Sequence, residues 1–541
     1  MDKPSRVYIY DTTLRDGAQT SGVSFTTDEK ISFIKNLYSF GVDYIEAGWP
    51  GANEIDTNVF DKCFEIKDSL LSTKVTAFGM TKKYGNSVQN DIVMSGLVNS
   101  RADFFCIVGK TWDFHVKEAL NITNEQNLEV IKESIEYLKT KAKEVLFDAE
   151  HFFDGYNSNP DYAIKCLQSA VSAGADWIVL CDTNGGMMPD EIYKITSDVK
   201  SILVNVKIGI HAHNDTECAV ANSLAAVRAG ATMIQGTING LGERCGNANL
   251  CSIIPNLVLK MDIDCGVDKS NLKNLPTLSK SLDNLLNRDH QVNLPYVGSS
   301  AFVHKGGLHA SAVLKNPSTY EHVSPDIVGN VRKIPLSNQA GRANVIATLQ
   351  KIGLSDEQYI SKASEIAIKI KEKEEKGFSY EDADASFELF VRRECGENVD
   401  FFKVNSYNMI LQNNFTKAQI NISVQNDIVA SSYTPHKLIT MNTDIGPVNA
   451  IDNTLKAQLQ QCGIKIVDNI TVVDYKVKIP TSKNYDGTAA LITVTIKMKN
   501  CITQQTWTTA ALNANIIEAS LSALVDGYRY AMLKSETFNS M

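Results

Sequence analysis

A pair of histidines one residue apart is the sharpest chemical signal in this sequence. His211 and His213 close a short run that is typical of a strand, and side chains two positions apart in a strand point to the same face. Two imidazoles and one carboxylate can bind a divalent metal while leaving coordination positions open. Asp16, directly after the first predicted strand, is the best third ligand. The alternative is that each histidine is an ordinary loop residue, but polar side chains at the other strand ends favour the metal.

Two further polar residues extend this candidate site. Arg15 cannot be a metal ligand because its guanidinium is permanently cationic, so it is better placed to stabilise negative charge that develops on an oxygen. A structural ion pair between Arg15 and Glu150 is equally open, and both roles are compatible. Asn247 could offer the metal a neutral oxygen, and the nearby Gly242 and Gly246 predict a tight loop with close backbone approach.

Eight strand-like runs alternate with helical stretches and would position these residues. The runs are 7–10, 44–47, 75–78, 104–108, 145–147, 178–180, 208–213 and 233–238. Eight such units within about 240 residues predict an α/β fold, a (β/α)8 TIM barrel, whose C-terminal strand ends line the active site. A doubly wound sheet is the structural rival, but it usually has fewer strands, and no glycine-rich dinucleotide motif follows the first run.

The composition argues against several functional classes. The 541 residues carry 43% apolar and 21% charged side chains, as in a globular protein of more than one domain. The formal net charge of −9 argues against general nucleic-acid binding or attachment to an acidic membrane. Eleven cysteines without a CxxC pair indicate reduced thiols, and no apolar stretch reaches membrane-spanning length. We therefore expect a cytoplasmic protein with neither nucleic-acid nor membrane partners.

Beyond residue 265 the strand–helix rhythm ends, and this change predicts three domains. We expect a TIM-barrel catalytic domain at 1–265, helical linker subdomains that contribute to the active site at 266–384, and a C-terminal α+β regulatory and dimerisation domain at 385–541. In the last domain the predicted strands are 387–391, 401–411, 417–422, 471–479 and 490–497, and the predicted helices are 448–460 and 516–533. This order suggests two similar strand-plus-helix halves.

Three segments of the predicted barrel carry a resemblance to a known family. DTTLRDG at 11–17, HAHND at 211–215 and NGLGERCGN at 239–247 are similar, in the same order, to motifs of the isopropylmalate/homocitrate/citramalate synthase family of metal-dependent TIM-barrel enzymes. The resemblance continues through HKGGLH at 304–309 and YEHV at 320–323 to NIIEAS at 515–520, so it covers essentially the whole chain. It implies that the chain joins acetyl-CoA, as co-substrate, to a 2-oxo acid and then hydrolyses the thioester.

The resemblance also implies a ligand set for the metal. Asp16, His211 and His213 would hold a divalent ion, with Asn247 as a further ligand. A shell of carboxylate, imidazole and water favours Mn²⁺ or Mg²⁺, with Zn²⁺ as the alternative, since no thiolate ligand is proposed.

Three further residues match the family's substrate-binding positions. Arg15 would share the charge of the alkoxide as the carbon–carbon bond forms, and Thr183 would hydrogen-bond the substrate carboxylate. Glu150 matches the position that holds Arg15 and the bound acid in place.

A base must remove a proton from the acetyl methyl group. His304 resembles the family residue implicated in this step, together with Glu243 and Tyr320, and an imidazole oriented by a carboxylate is a suitable general base. The alternative is that His304 only orders a loop. In homodimers of this family the post-barrel segment crosses to the partner's active site, so a homodimer is expected here as well.

Two other segments bear on the 2-oxo acid. EAGWPG at 46–51 and FDAEHFFDG at 147–155 most resemble the long citramalate-forming branch of the family. This similarity implies pyruvate as the acceptor and citramalate and CoA as products, at the first step of the pyruvate route to isoleucine. The alternatives are 2-isopropylmalate synthase, which uses 2-oxoisovalerate, homocitrate synthase, and, more remotely, a non-catalytic metabolite-binding sensor.

The C-terminal domain departs from the family pattern at two glycine positions. Asp444 and Ala511 stand where the family usually has glycine, and both residues restrict the backbone freedom that glycine allows. The domain fold is still expected, and isoleucine binding as an allosteric effector is a hypothesis.

Overall fold

Two compact units make up the described part of the chain. The computed structural model describes residues 4–70, 72–336, 341–412, 415–425, 439–443, 446–479 and 490–535. The first unit comprises Met1–Phe302 and Val323–Val331, and the second comprises Val303–His322 and Arg332–Met541. Within the described ranges, no helix has both the length and the apolar character that a membrane span requires.

The first unit contains a closed barrel of eight parallel strands, which confirms the fold predicted from the sequence. The strands neighbour one another in chain order, and the last pairs with the first. They are β1 (Tyr8–Asp11), β2 (Tyr44–Gly48), β3 (Lys74–Met80), β4 (Phe104–Lys110), β5 (Glu144–Glu150), β6 (Trp177–Asp182), β7 (Ile208–Ala212) and β8 (Met233–Gly236). Each of the eight predicted runs corresponds to one of these strands, with ends that differ by a few residues.

Helices surround the barrel and connect its strands. They are α1 (Thr27–Phe40), α2 (Glu54–Glu65), α3 (Ile92–Asn99), α4 (Asp113–His115), α5 (Asn124–Lys139), α6 (Phe152–Ser158), α7 (Pro160–Ser172), α8 (Pro189–Ile202), α9 (Ala219–Arg228), α10 (Leu250–Pro255) and α11 (Leu275–Leu285). Helix α1 shows why these segments are helical. Thr26 and Glu29 form a reciprocal capping box at its start, Phe33 and Leu37 face the core, and Gly41 ends it with a φ of 101°.

Large side chains fill the interior of the barrel. Tyr10, Tyr44 and Trp177 form a buried aromatic cluster there with Phe78. A second, larger apolar layer packs the helices against the outside of the strands. Since the interior is packed, only the side chains at the strand ends can reach a ligand.

The second unit holds the remaining helices and strands. They are α12 (Gly307–Lys315), α13 (Arg342–Lys351), α14 (Glu357–Ile360), α15 (Ala363–Glu375), α16 (Asp384–Glu394), β9 (Phe402–Gln412), β10 (Phe415–Val424), β11 (Ile439–Thr443), α17 (Pro447–Gln461), β12 (Ile470–Lys478), β13 (Ile492–Asn500), β14 (Thr506–Asn513) and α18 (Ile516–Leu533). Two antiparallel sheets, β11-β10-β9 and β12-β13-β14, share one apolar core with α17 and α18.

The strand predicted at Phe387–Val391 is wrong, because these residues lie within α16. Phe387 and Phe390 pack into one apolar cluster, and Leu389 packs into the core of the two sheets. A helix buried on two sides presents a continuous apolar run, which local periodicity cannot distinguish from a strand. The two predicted helices of this domain are confirmed, whereas β11 and β14 were not predicted.

Candidate active site at the barrel mouth

Asp16, His211 and His213 lie together at the C-terminal end of the barrel. One ligand atom from each lies within 4.8 Å of the others, and all three side chains are buried. Burial favours the neutral acid, but Arg15 and the two imidazoles outweigh it and hold the pKa of Asp16 well below its ordinary value. Burial and the neighbouring His211 lower the pKa of His213 to about 4. At neutral pH the group therefore presents a carboxylate and a neutral His213 imidazole, as a metal site requires.

Two unpartnered buried atoms indicate that this group fits a divalent metal. Asn247 donates from Nδ2 to Asp16 Oδ1 at 2.7 Å and to the Leu241 carbonyl at 3.2 Å. Among the described residues, its Oδ1 and Nδ1 of His213 have no partner although both are buried. Buried lone pairs without a donor are costly, and an ion bound here would satisfy them. The donor set of oxygen and nitrogen atoms suits such an ion.

The tight loop predicted around Asn247 is confirmed. Gly246 has a φ of 94°, and a Cβ there would lie 2.0 Å from the Gly240 carbonyl oxygen. A Cβ on Gly242 would lie 2.1 Å from Asn247 Nδ2. Only glycine permits these approaches, so both glycines are needed for the loop that places Asn247 beside Asp16.

Arg15 pairs with Glu46 rather than with Glu150, so the predicted Arg15–Glu150 ion pair is wrong. Arg15 donates from Nε to Glu46 Oε2 at 2.5 Å and from Nη1 to Asp16 Oδ2 at 3.0 Å. Its guanidinium also lies 3.8 Å from the ring centroid of Phe78. Strand order gives the reason: Arg15 follows β1, which pairs with β2 and hence lies beside Glu46.

Glu150 has a different cationic partner. Strands β4 and β5 align Lys110 with Glu150, and the Lys110 ammonium forms a close ion pair with the Glu150 carboxylate. Sequence reasoning missed Lys110. The signal that could have identified it is its place at the end of the strand neighbouring Glu150, since neighbouring strand ends bring their side chains together.

Thr183 lies at the same mouth with its hydroxyl hydrogen available. Its Oγ1 accepts a hydrogen bond from the His151 backbone N–H at 2.8 Å. Within the described part of the chain, no acceptor contacts that hydroxyl. A threonine hydroxyl can donate one hydrogen bond while it accepts others, so Thr183 can still donate to a bound oxygen.

A cavity of about 390 Å³ joins these groups. Its lining includes Arg15, Asp16, Trp49, Met80, Lys110, Asp148, Glu150, Thr183, His211, His213, Glu243 and Arg244. It therefore brings together every barrel residue predicted for the site except Asn247, which contacts Asp16 through its side-chain amide. The volume suits a small organic acid beside part of a larger ligand.

His304 and Tyr320 belong to the second unit, in the post-barrel segment 303–333. His304 lies 3.1 Å through Nε2 from Glu321 Oε1, and Arg332 donates to both oxygens of Glu321 at 2.6 Å. Those hydrogen bonds from Arg332 and His304 outweigh burial and lower the pKa of Glu321. His309, which the sequence analysis did not single out, stacks on Tyr320 with ring centroids 4.0 Å apart.

The closed barrel with a candidate metal site at its mouth is the arrangement of the metal-dependent TIM-barrel enzymes. Residues 6–278 match the HMGL-like family, 296–377 match the homocitrate synthase post-HMGL domain-like family, and 381–532 match the LeuA allosteric (dimerisation) domain. The chain belongs to the HMGL-like family, in the branch that contains the citramalate, isopropylmalate and homocitrate synthases.

Full-length relatives refine this placement. The chain is 44% identical over 531 residues to the (R)-citramalate synthase of Aquifex aeolicus (strain VF5), and the comparison covers 98% of each chain. It is 43% identical over 538 residues to the (R)-citramalate synthase of Geobacter sulfurreducens, again over 98% of each chain. The 2-isopropylmalate synthase of Methanocaldococcus jannaschii is 33% identical over 540 residues, which cover 98% of this chain and 96% of the relative.

Proposed function

We propose that this chain is an acyltransferase that condenses acetyl-CoA with pyruvate to give (R)-citramalate and CoA, the first step of the pyruvate route to isoleucine. The observation that carries the proposal is the full-length similarity to (R)-citramalate synthases at 43–44% identity, against 33% for a 2-isopropylmalate synthase. The grouping of Arg15 with Asp16, His211 and His213 supports it, because a condensation that forms an alkoxide needs positive charge near the reacting ketone.

The reaction balances with one water. The base removes a proton from the acetyl methyl group, the resulting carbon attacks the pyruvate ketone carbon, and the ketone oxygen becomes an alkoxide that takes up a proton. Water then cleaves the thioester, which releases CoA as the thiol, one proton, and the second carboxylate of citramalate.

The proposed metal ligands are Asp16, His211 and His213, with Asn247 as a further oxygen donor. Mn²⁺ or Mg²⁺ suits this mixed oxygen and nitrogen set, with Zn²⁺ as the alternative. An ion bound there supplies Lewis acidity to a ketone oxygen.

Arg15 and Thr183 would bind the oxo acid. Within the described residues Arg15 Nη2 has no protein partner, because Glu46 and Asp16 engage Nε and Nη1. That N–H can donate to the oxygen on which charge develops, while Glu46 holds the guanidinium in place. The free hydroxyl hydrogen of Thr183 can donate to the substrate carboxylate, and Glu150, fixed by Lys110, limits where the acid can lie.

The base is proposed to come from the post-barrel segment, with Tyr320 and Glu243 assisting. His304 remains the residue predicted from the sequence, and Glu321 orients it as a carboxylate orients many catalytic imidazoles. His309 is the rival within the same segment. Its ring is exposed beside Tyr320, so it can approach a thioester without breaking an ion pair, whereas His304 is buried against Glu321.

We also propose a homodimer and regulation by isoleucine through the C-terminal domain. The match to the LeuA allosteric (dimerisation) domain supports this. Ala511, one of the two departures from glycine, lies in β14 opposite Val494, a regular strand position that alanine tolerates; Asp444 lies outside the described residues. Calorimetric titration with isoleucine, together with kinetics in its presence, tests the proposal, and no heat with unchanged rates would refute it.

A steady-state panel tests the substrate assignment. Free thiol is followed with acetyl-CoA and, in turn, pyruvate, 2-oxoisovalerate and 2-oxoglutarate. Pyruvate is expected to give the highest kcat/KM by more than about tenfold. A pocket typically gains selectivity of this size between substrates that differ by one or two methylene-sized groups. Preference for 2-oxoisovalerate would make the chain a 2-isopropylmalate synthase, and preference for 2-oxoglutarate a homocitrate synthase. If no acid leads to thiol release, the alternative of a non-catalytic metabolite-binding sensor would be favoured.

A further inference from the structure

Gln235 links two polar groups inside the barrel. It lies on β8, is fully buried, and contacts β7 on one side and β5 on the other through its side chain. Its Oε1 lies 2.6 Å from His211 Nδ1, and its Nε2 donates to Asp148 Oδ1 at 2.9 Å. An amide buried inside the barrel is costly unless both of its ends are bonded, and here both ends meet residues of the candidate site.

The chemistry of the three groups fixes the direction of each hydrogen bond. The Asp148 carboxylate only accepts, so the Gln235 amide nitrogen must face it and the amide oxygen must face His211. That oxygen only accepts, so His211 must carry its hydrogen on Nδ1. In the neutral ring, the form that can bind a metal, Nε2 then carries the free lone pair, and it lies 3.7 Å from Asp16 Oδ2.

An amide suits this position better than a carboxylate would. Asp148 and Glu46 already lie together in the barrel interior, with ligand atoms within 4.8 Å of one another, and both are buried. A third carboxylate beside them would add like charge in a region of low dielectric constant. Glutamine provides the acceptor that His211 needs and a donor for Asp148 without adding charge.

We infer that Gln235 is a positioning residue that fixes the tautomer and ring orientation of His211, so that His211 Nε2 is the nitrogen presented to the metal. Ligating histidines typically donate their second ring N–H to such a partner, and loss of the partner typically weakens metal binding 10- to 100-fold. The inference rests on the proposed role of His211 as a ligand. It adds a residue from β8 to a site otherwise built on β1, β7 and the loop of Asn247.

The test measures Mn²⁺ affinity by calorimetry on the full-length chain, with circular dichroism to confirm folding. Gln235→Leu and the more nearly isosteric Gln235→Met remove both hydrogen bonds. Asn222→Leu is the matched control: Asn222 is also fully buried, and it donates to the Met187 carbonyl at 2.8 Å and to Asp182 Oδ2 at 3.4 Å, neither of which is a proposed ligand. We expect both Gln235 variants to bind Mn²⁺ about 10- to 100-fold more weakly, and Asn222→Leu to bind within about twofold of the wild type.

The outcomes separate this inference from the proposed function. Wild-type affinity in either folded Gln235 variant, while His211→Ala loses the ion, overturns the role of Gln235 and leaves the metal site intact. An equal loss in Asn222→Leu also overturns it, because any deleted buried amide would then have the same effect. A wild-type chain that binds no Mn²⁺, Mg²⁺ or Zn²⁺ removes the metal site itself and the inference with it.

Discussion

The barrel mouth and the post-barrel segment each place histidine beside a carboxylate. The two sites differ in how many of their buried polar atoms have hydrogen-bond partners. At the mouth, Asn247 Oδ1 and His213 Nδ1 are buried without a partner among the described residues. In the segment, Glu321 is bonded through both oxygens, by Arg332 and by His304. The first arrangement has lone pairs left for a ligand, whereas the second is a closed ion-pair network.

This difference bears on what each histidine can do. A closed network orders a chain segment, and here it lies beside the bridge between Val303 and Lys333, where His304 N–H also donates to the Lys333 carbonyl at 2.9 Å. The segment between these ends carries His309 and Tyr320. The unpartnered atoms at the mouth leave His213 and Asn247 able to bind a ligand, whereas the complete network around Glu321 is suited to holding the segment in place.

The largest effect is expected from removing a histidine of the candidate metal site. His213→Ala removes one proposed ligand, so Mn²⁺ binding and turnover should both fall. The expected loss of kcat/KM is more than about a thousandfold, which exceeds the loss of a single hydrogen-bond donor. Metal content and thiol release measure the two effects. His290→Ala is the matched control, since His290 contacts Asp283 at 2.7 Å in a pair outside the ligand set. Unaltered turnover in His213→Ala would remove this residue from the ligand set.

The second prediction distinguishes His304 from His309 as the general base of the post-barrel segment. If His309 is the base, His309→Gln should lower kcat by about 10²- to 10⁴-fold, the range for a lost general base. His304→Gln should cost less in kcat and more in thermal stability, since it leaves Glu321 with Arg332 alone. Rates and thermal midpoints of both variants decide the matter. A larger kcat loss in His304→Gln would identify His304 as the base, in line with the prediction from the sequence.

The sequence sufficed for the barrel, which is confirmed, and for bringing His211 and His213 to one face, because both follow from local periodicity. Strand and helix alternate regularly, and His211 and His213 are related by the two-residue repeat of a strand. The partner of Arg15 was predicted wrongly because it depends on which strand lies next to β1. Its actual partner, Glu46, is on β2.

The rest could not be predicted because it depends on contacts between distant positions without a repeating pattern. Arg332 meets Glu321 across an irregular segment, and Gln235 meets Asp148 between non-adjacent strands. The strand predicted at Phe387–Val391 failed for a related reason, since burial of both faces of α16 erased its helical pattern.

A smaller effect tests whether charge and metal act separately at the mouth. Arg15→Lys keeps the positive charge, but a single ammonium cannot contact Glu46 and Asp16 in the fork geometry of a guanidinium. We expect kcat to fall by about 10²- to 10³-fold, as for a lost oxyanion donor, while Mn²⁺ affinity changes by less than about tenfold. Arg6→Lys is the control, because Arg6 pairs with Asp43 and Asp264 and does not line the cavity. Equal losses of affinity and rate would mean that Arg15 acts mainly by holding Asp16.

The smallest effect concerns the wall of the cavity that selects the oxo acid. Met80 ends β3 and lines the cavity with Asp148, so Met80→Ala enlarges the space without touching a ligand. We expect kcat/KM for 2-oxoisovalerate relative to pyruvate to rise by about 10-fold or more, since one or two methylenes in a pocket change selectivity by 10- to 200-fold. The substrate panel measures this ratio, and Met188→Ala, at an exposed methionine before α8, should leave it unchanged. An unchanged ratio in Met80→Ala would show that selectivity arises elsewhere at the mouth, with Asp148 the next residue to shorten.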